Sequence, residues 1–176
     1  MNFGVIKIKI KNMNYQEING NLIELSKKGA FDVIAHGANC KKIMGAGLAL
    51  QIKKHYPIAW QIDQDDTRGP LQRLGDMTVL NLTQFVVVNL YTQYNPGAEL
   101  NYTALRLGLF KMNQKYKGKR IGLPMIGCGI GGGHWDSVKM IIKEELCDCN
   151  VTIVMFKQET NKLSFFQNFL KKIGWS

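Results

Sequence analysis

The 176-residue chain carries 23 lysines and arginines against 13 aspartates and glutamates, a formal charge of +10, and 45% of its residues are hydrophobic. That length and apolar content suit a single domain (1–176) with a sizeable core, and the charge favours an anionic partner such as a nucleotide, a nucleic acid or an anionic surface. No stretch reaches the ~18 to 20 continuous apolar residues that cross a bilayer, and Met1-Asn2-Phe3-Gly4 opens without the features of a secretory signal; a soluble, cytoplasmic protein without membrane contact is expected.

Val5 to Lys11 alternates apolar and basic residues, the period of a half-exposed edge strand. A second strand is expected around Tyr15 to Ile18, then the turn Asn19-Gly20-Asn21 and a short helix from Leu22 that ends at Gly29. Asp32 to His36 reads as a strand and Ala46 to Lys54 as a helix stopped at Tyr56-Pro57, where proline pushes the preceding residue out of the α region. A further helix is expected from Ile58 towards Asp66.

Met77 to Leu82 and Phe85 to Tyr91 are rich in β-branched and aromatic residues and form an adjacent strand pair around Thr83-Gln84. Asn95-Pro96-Gly97 marks a loop. From Asn101, the apolar residues Tyr102, Leu105, Leu109, Met112 and Tyr116 recur at helical spacing. Ile121 to Ile126 is a buried strand, Asp136 to Leu146 a helix, Val151 to Phe156 another buried strand, and Lys162 to Trp175 a last helix. Strands alternating with helices predict a largely parallel sheet covered on both faces, with the site outside the strand C-termini.

Two glycine-rich turns stand at such positions. Met44-Gly45-Ala46-Gly47 follows the strand ending near His36, and Gly127-Cys128-Gly129-Ile130-Gly131-Gly132-Gly133 follows Ile121 to Ile126. Each opens a helical pattern, so unpaired N–H groups at helix N-termini can meet an anion from two sides. The first turn lacks the lysine and Ser/Thr of a nucleotide-triphosphate P-loop, and the second has no acidic residue about twenty positions on to hold a dinucleotide ribose. Cys40, Cys128, Cys147 and Cys149 lack metal-ligand spacing, so reduced thiols are expected, with no metal and no cofactor.

Four ordered blocks carry a resemblance over roughly residues 14 to 157. They are Gly20 to Ile23, Asp32 to Cys40, Met44 to Pro57 and Leu123 to Trp135, and together they resemble the macro domains, which bind ADP-ribose and often hydrolyse its derivatives. The wording of the two glycine blocks is most similar to the branch containing the terminal ADP-ribose glycohydrolase and the antitoxin DarG. The resemblance implies a three-layer α/β/α fold around a mixed, largely parallel sheet. It implies Asn21 on the adenine amino group with Leu22 beside it, Phe156 against the adenine ring, and Asn39 orienting the distal ribose. Gly45, Ala46 and Gly47, with Gly127, Cys128, Gly129, Ile130, Gly131, Gly132 and Gly133, would enclose the phosphates and the distal ribose.

For the chemistry, the resemblance points to Lys53 as a nucleophile on the anomeric carbon of that ribose. A neutral amine is required, and neighbouring cations such as Lys54 lower a lysine pKa. The terminal glycohydrolase has an aspartate where this chain has Gly131, so a carboxylate is missing there. His36-Gly37-Ala38-Asn39-Cys40 also resembles the fungal ADP-ribose 1''-phosphate phosphatases, in which that histidine is implicated. Three readings stand: a glycohydrolase acting through Lys53 on an ADP-ribosylated protein or nucleic acid, a phosphatase centred on His36 and Asn39, and a reader without catalysis. The expected partner is ADP-ribose or an ADP-ribosylated molecule, with a nucleic-acid contact through the basic surface left open and a monomer as the default.

Overall fold

A computed structural model describes residues 14–156; the strand expected over Val5 to Lys11 and the helix expected over Lys162 to Trp175 lie outside the described residues. The elements run β1 (Tyr15–Asn19), α1 (Leu22–Lys27), β2 (Val33–Asn39), α2 (Gly47–His55), α3 (Pro57–Asp65), α4 (Pro70–Arg73), β3 (Met77–Asn81), β4 (Val86–Gln93), α5 (Tyr102–Lys115), β5 (Arg120–Leu123), α6 (Trp135–Glu145) and β6 (Asn150–Met155). Among the described residues one six-stranded sheet has the order β1-β6-β5-β2-β4-β3. Every neighbouring pair is parallel except β3 with β4. This is the mixed, largely parallel sheet that the sequence implies.

The alternation of side chains along the central strands divides the core in two. Val33, Ala35, Val88 and Leu90 face one way and pack with Leu105, Leu109 and Met112 of α5 and Val138 and Ile142 of α6. Ile34 and Val87 face the other way, against Ile23 of α1, Ile52 of α2 and Ala59 of α3. Helices on both faces make three layers, because the apolar strands β2 and β4 are buried from both sides.

Where the boundaries differ from the sequence expectation, proline and hydrogen bonding account for it. β5 ends at Leu123 because Pro124 has no N–H for the ladder, and the Ile126 N–H turns back to the Pro124 carbonyl at 2.7 Å. α3 begins at Pro57 itself, since a first-turn N–H is unpaired in any helix. α4 is a four-residue turn, too short to leave a periodic signal. β2 continues past His36 to Asn39, with a register irregularity after Ala38 that brings Asn39 opposite Gln93 at the end of β4.

Candidate functional site

α2 starts from a loop that the molecule holds from below. Asn39 Oδ1 accepts from the N–H groups of Lys41 and Ile43 at 3.1 and 3.2 Å, and its Nδ2 donates to the Ile43 carbonyl at 2.8 Å. Lys42 sits at φ +62°, a left-handed conformation uncommon for a side-chain-bearing residue. Its Nζ donates to the carbonyls of Gln64 and Asp66 at 2.7 and 2.6 Å, at and just beyond the C-terminal end of α3. Arg73, 1% exposed, donates from Nη1 to the Cys40 carbonyl at 2.8 Å and pairs through Nη2 with the equally buried Asp63. A residue run of 39 to 43 is thereby fixed at both its side chains and its backbone.

The loop delivers Gly45, Ala46 and Gly47 to the N-terminus of α2. No side chain caps that nine-residue helix and its first turn contains no acidic residue, so its opening N–H groups are left for a ligand. Gly47 has φ +55°, and a Cβ there would lie 3.4 Å from Ile130 Cδ1. The two glycine loops therefore meet.

The second loop folds on itself. Cys128, Gly132 and Gly133 donate their N–H groups to the carbonyls of Met125, Gly129 and Gly127, while those of Gly129, Ile130 and Gly131 take no part in these bonds. Glycine is needed for close approach: a Cβ on Gly131 would stand 2.6 Å from the Gly127 oxygen. The aspartate that this chain lacks at Gly131 has no room in this loop conformation. From the other side the Leu100 N–H donates to the Gly131 carbonyl at 3.0 Å, tying the loop to the segment after β4.

Between the two loops lies a cavity of about 350 Å³. Of the residues named from the sequence, His36, Asn39, Gly45, Ala46, Gly47, Gly127, Gly129, Ile130 and Gly131 line it. Cys128, Gly132 and Gly133 shape the second loop without lining the cavity; the Cys128 thiol packs against the core and burial pushes its pKa up. Gln93, Gly37, Pro96 and Met125 also line it and were not foreseen. Gln93 carried a usable signal, as the polar residue that closes the apolar run of β4, at a strand C-terminus beside the end of β2.

Lys53 is not brought to this cavity. It lies in the last turn of α2 with its Nζ 4.0 Å from the centre of the Trp60 ring, a cation–π contact. Asn21 and Phe156 stand at the neighbouring ends of β1 and β6, which the Gly20 N–H joins by donating to the Met155 carbonyl at 3.0 Å. Asn21 Oδ1 caps α1 by accepting from the Ile23 and Glu24 N–H groups. Phe156 is 70% exposed, whereas Leu22 is buried among the core residues under α1 and α2.

His36 is buried and its Nε2 lies 2.8 Å from Asn89 Oδ1. Asn89 donates its two amide hydrogens to the Ala59 carbonyl and Thr78 Oγ1, which leaves its oxygen to accept, so Nε2 of His36 carries the proton. Burial is the largest influence on the His36 pKa and lowers it, outweighing Asn89 and the Gly37 carbonyl 3.1 Å from Nδ1, which favours the neutral ring. The unfolded chain, with a histidine near 6.5, takes up a proton that the folded state refuses. Stability is therefore undiminished above that pH and falls as the pH drops below it, by up to about 1.4 kcal/mol per pH unit. Urea unfolding of the wild type and His36→Gln at pH 7.5 and 5.5 is expected to show a steeper acid loss in the wild type; equal losses would contradict the buried neutral ring.

Among the described residues no group of three His, Cys, Asp or Glu side chains is disposed to hold a metal, and no helix is long and apolar enough to cross a membrane.

Parallel strands with glycine loops at their C-terminal ends, closing on one cleft between two helical layers, define the macro domain fold. Solved structures share it, among them three from bacteria. The macrodomain of Thermus aquaticus DarG superposes with a TM-score of 0.65 at 21% identity, covering 82% of this chain and 98% of that one. The Mycobacterium tuberculosis DarG macrodomain gives 0.66 at 20% identity, covering 84% and 100%. Thermosipho africanus DarTG, solved in complex with ADP-ribose, gives 0.69 at 19% identity over 84% of this chain and 43% of that larger one. No family model matches the sequence. A protein of Enterobacteria phage T4, described as an uncharacterized 17.5 kDa protein in the tk-vs intergenic region, is 33% identical over 146 residues, which is 78% of this chain and 93% of the relative. The chain belongs to one family with that phage protein, and its fold is that of the macro domains.

Proposed function

We propose that the cleft binds ADP-ribose and that the protein hydrolyses an ADP-ribose derivative at the distal ribose, freeing a macromolecular acceptor. The observation that carries this reading is the convergence, among the described residues, of two sets of unpaired backbone N–H groups on one cavity with no carboxylate side chain in its lining. Such a cradle suits a diphosphate, whose charge is met by helix N-termini and fixed dipoles. This reading assigns the distal ribose to Asn39, and the adenine amino group and ring to Asn21 and Phe156 at the β1–β6 end. The likeness to the DarG macrodomains and to DarTG bound to ADP-ribose supports the ligand class.

In this reading a bond forms between C1'' of the ribose and the attacking amine as the C1''–acceptor bond breaks and the acceptor leaves with a proton; water then displaces the amine, giving C1'' its hydroxyl and returning a proton. Lys53 acts as nucleophile only by leaving the Trp60 ring and turning towards the cleft. A second reading, removal of a terminal phosphate from ADP-ribose 1''-phosphate, draws support from His36, the one ionisable side chain in the lining among the described residues. Its Nε2–H is already donated to Asn89, which leaves it little freedom as an acid.

A panel of ADP-ribosylated DNA, ADP-ribosylated protein and ADP-ribose 1''-phosphate separates these readings. Release of ADP-ribose from either macromolecule is expected, with a loss of at least 100-fold in Lys53→Ala if the amine attacks. Unchanged turnover in Lys53→Ala removes the lysine from the mechanism, phosphate release favours the second reading, and ADP-ribose binding without turnover of any substrate leaves a reader.

A further inference from the structure

Among the described residues three polar side chains line the cleft: His36, Asn39 and Gln93. The first two are committed. The His36 Nε2–H goes to Asn89, and Asn39 Oδ1 already accepts two backbone N–H groups.

Gln93 is different. Its Nε2 donates to the carbonyls of Asn95 at 2.9 Å and Gly97 at 3.0 Å, and only an NH₂ group can make both bonds. Those bonds fix the amide orientation and leave Oε1 without a hydrogen-bond partner among the described residues. The remaining polar lining is made of backbone groups, with donors set for an anion at both glycine loops. An unpaired carbonyl oxygen beside them gains nothing from a phosphate oxygen, which has no hydrogen to give at neutral pH. It does gain from a hydroxyl. Gln93 pairs with Asn39 across the ends of β4 and β2, which places it beside the loop that leads from β2 to α2.

We propose that Gln93 is a specificity-determining residue of the cleft, its Oε1 accepting a hydrogen bond from a hydroxyl of the sugar that follows the diphosphate. Resting on the ADP-ribose reading above, this makes the site prefer a nucleoside diphosphate that carries a distal ribose over the same diphosphate without one. Gln93 also supports the 95–97 segment through Nε2, and the two roles separate in a binding cycle.

Calorimetric titration of the full chain with ADP-ribose and with ADP, on the wild type, Gln93→Leu and Gln93→Met, tests this. Expected is a wild type at least tenfold tighter for ADP-ribose than for ADP. Both variants should lose about tenfold of that preference, the scale of one well-made polar contact, over and above any loss of loop support, which falls equally on ADP and ADP-ribose. A preference unchanged in both variants overturns the proposal alone. So does a parallel loss for both ligands, which would reduce Gln93 to a support for its loop. A wild type that binds neither ligand overturns the ADP-ribose reading and this proposal together.

Discussion

Gly131→Ala is expected to weaken ADP-ribose binding by at least about 100-fold while leaving the protein folded. The added Cβ would lie 2.6 Å from the Gly127 carbonyl oxygen and 3.2 Å from its carbon, and both are backbone atoms inside the same loop. No rotamer change relieves that contact. The loop must open, and with it go the Gly133 N–H bond to the Gly127 carbonyl and the Leu100 N–H bond to the Gly131 carbonyl. The N–H groups of Gly129 to Gly131 then no longer face the N-terminus of α2. Because these bonds lie at the edge of the core, the expected cost to unfolding is about 1 to 3 kcal/mol, the usual range for overpacking. Calorimetry with ADP-ribose and a urea titration read the two effects apart. An affinity within threefold of wild type would contradict the loop geometry. Gly131→Asp is expected to behave the same way, so restoring the carboxylate of the terminal glycohydrolase does not create its chemistry here.

The largest stability effect is expected at Arg73→Met, a loss of about 3 to 5 kcal/mol, because it leaves the Asp63 carboxylate buried without its cation. Both side chains are 1% exposed. Asp63 would retain the Tyr91 hydroxyl, which donates to Oδ1 at 2.7 Å, and the Cys40 carbonyl would lose its guanidinium donor. Against a typical domain stability of about 5 to 15 kcal/mol this is a large share. Arg73→Met combined with Asp63→Leu should recover much of the loss, since an apolar pair of similar volume replaces two desolvated charges. Urea midpoints decide it: a single variant within 1 kcal/mol of wild type would show that the pair carries no such weight. Because Arg73 holds the residue that follows Asn39, the single variant is also expected to loosen the first glycine loop.

Much of this architecture is legible in the sequence because it follows from local chemistry. The apolar runs of β2, β4, β5 and β6, the proline stop at Tyr56-Pro57 and the helical spacing from Tyr102 each speak for themselves. The two glycine loops also fall where the sequence puts them, at strand C-termini and on one cleft. What the sequence does not carry is the direction in which helix residues face. Lys53 falls within a motif, yet its amine rests on Trp60, seven positions on across the α2–α3 junction. Leu22 adjoins a conspicuous asparagine but turns into the core. The clamp of Lys42 on Gln64 and Asp66 and the pairing of Arg73 with Asp63 join residues 10 to 24 positions apart, with no motif to announce them. Gln93 has no glycine or charge to draw the eye, only its place at the end of β4 opposite Asn39.

That both glycine loops grip one ligand is tested most directly by following backbone amide resonances of the full chain during titration with ADP-ribose. Expected is a single saturable 1:1 transition in which Gly45 to Ala49 and Gly129 to Gly131 shift together with the same dissociation constant. Shifts confined to one loop, two different constants, or no response at millimolar ligand would contradict a shared diphosphate cleft.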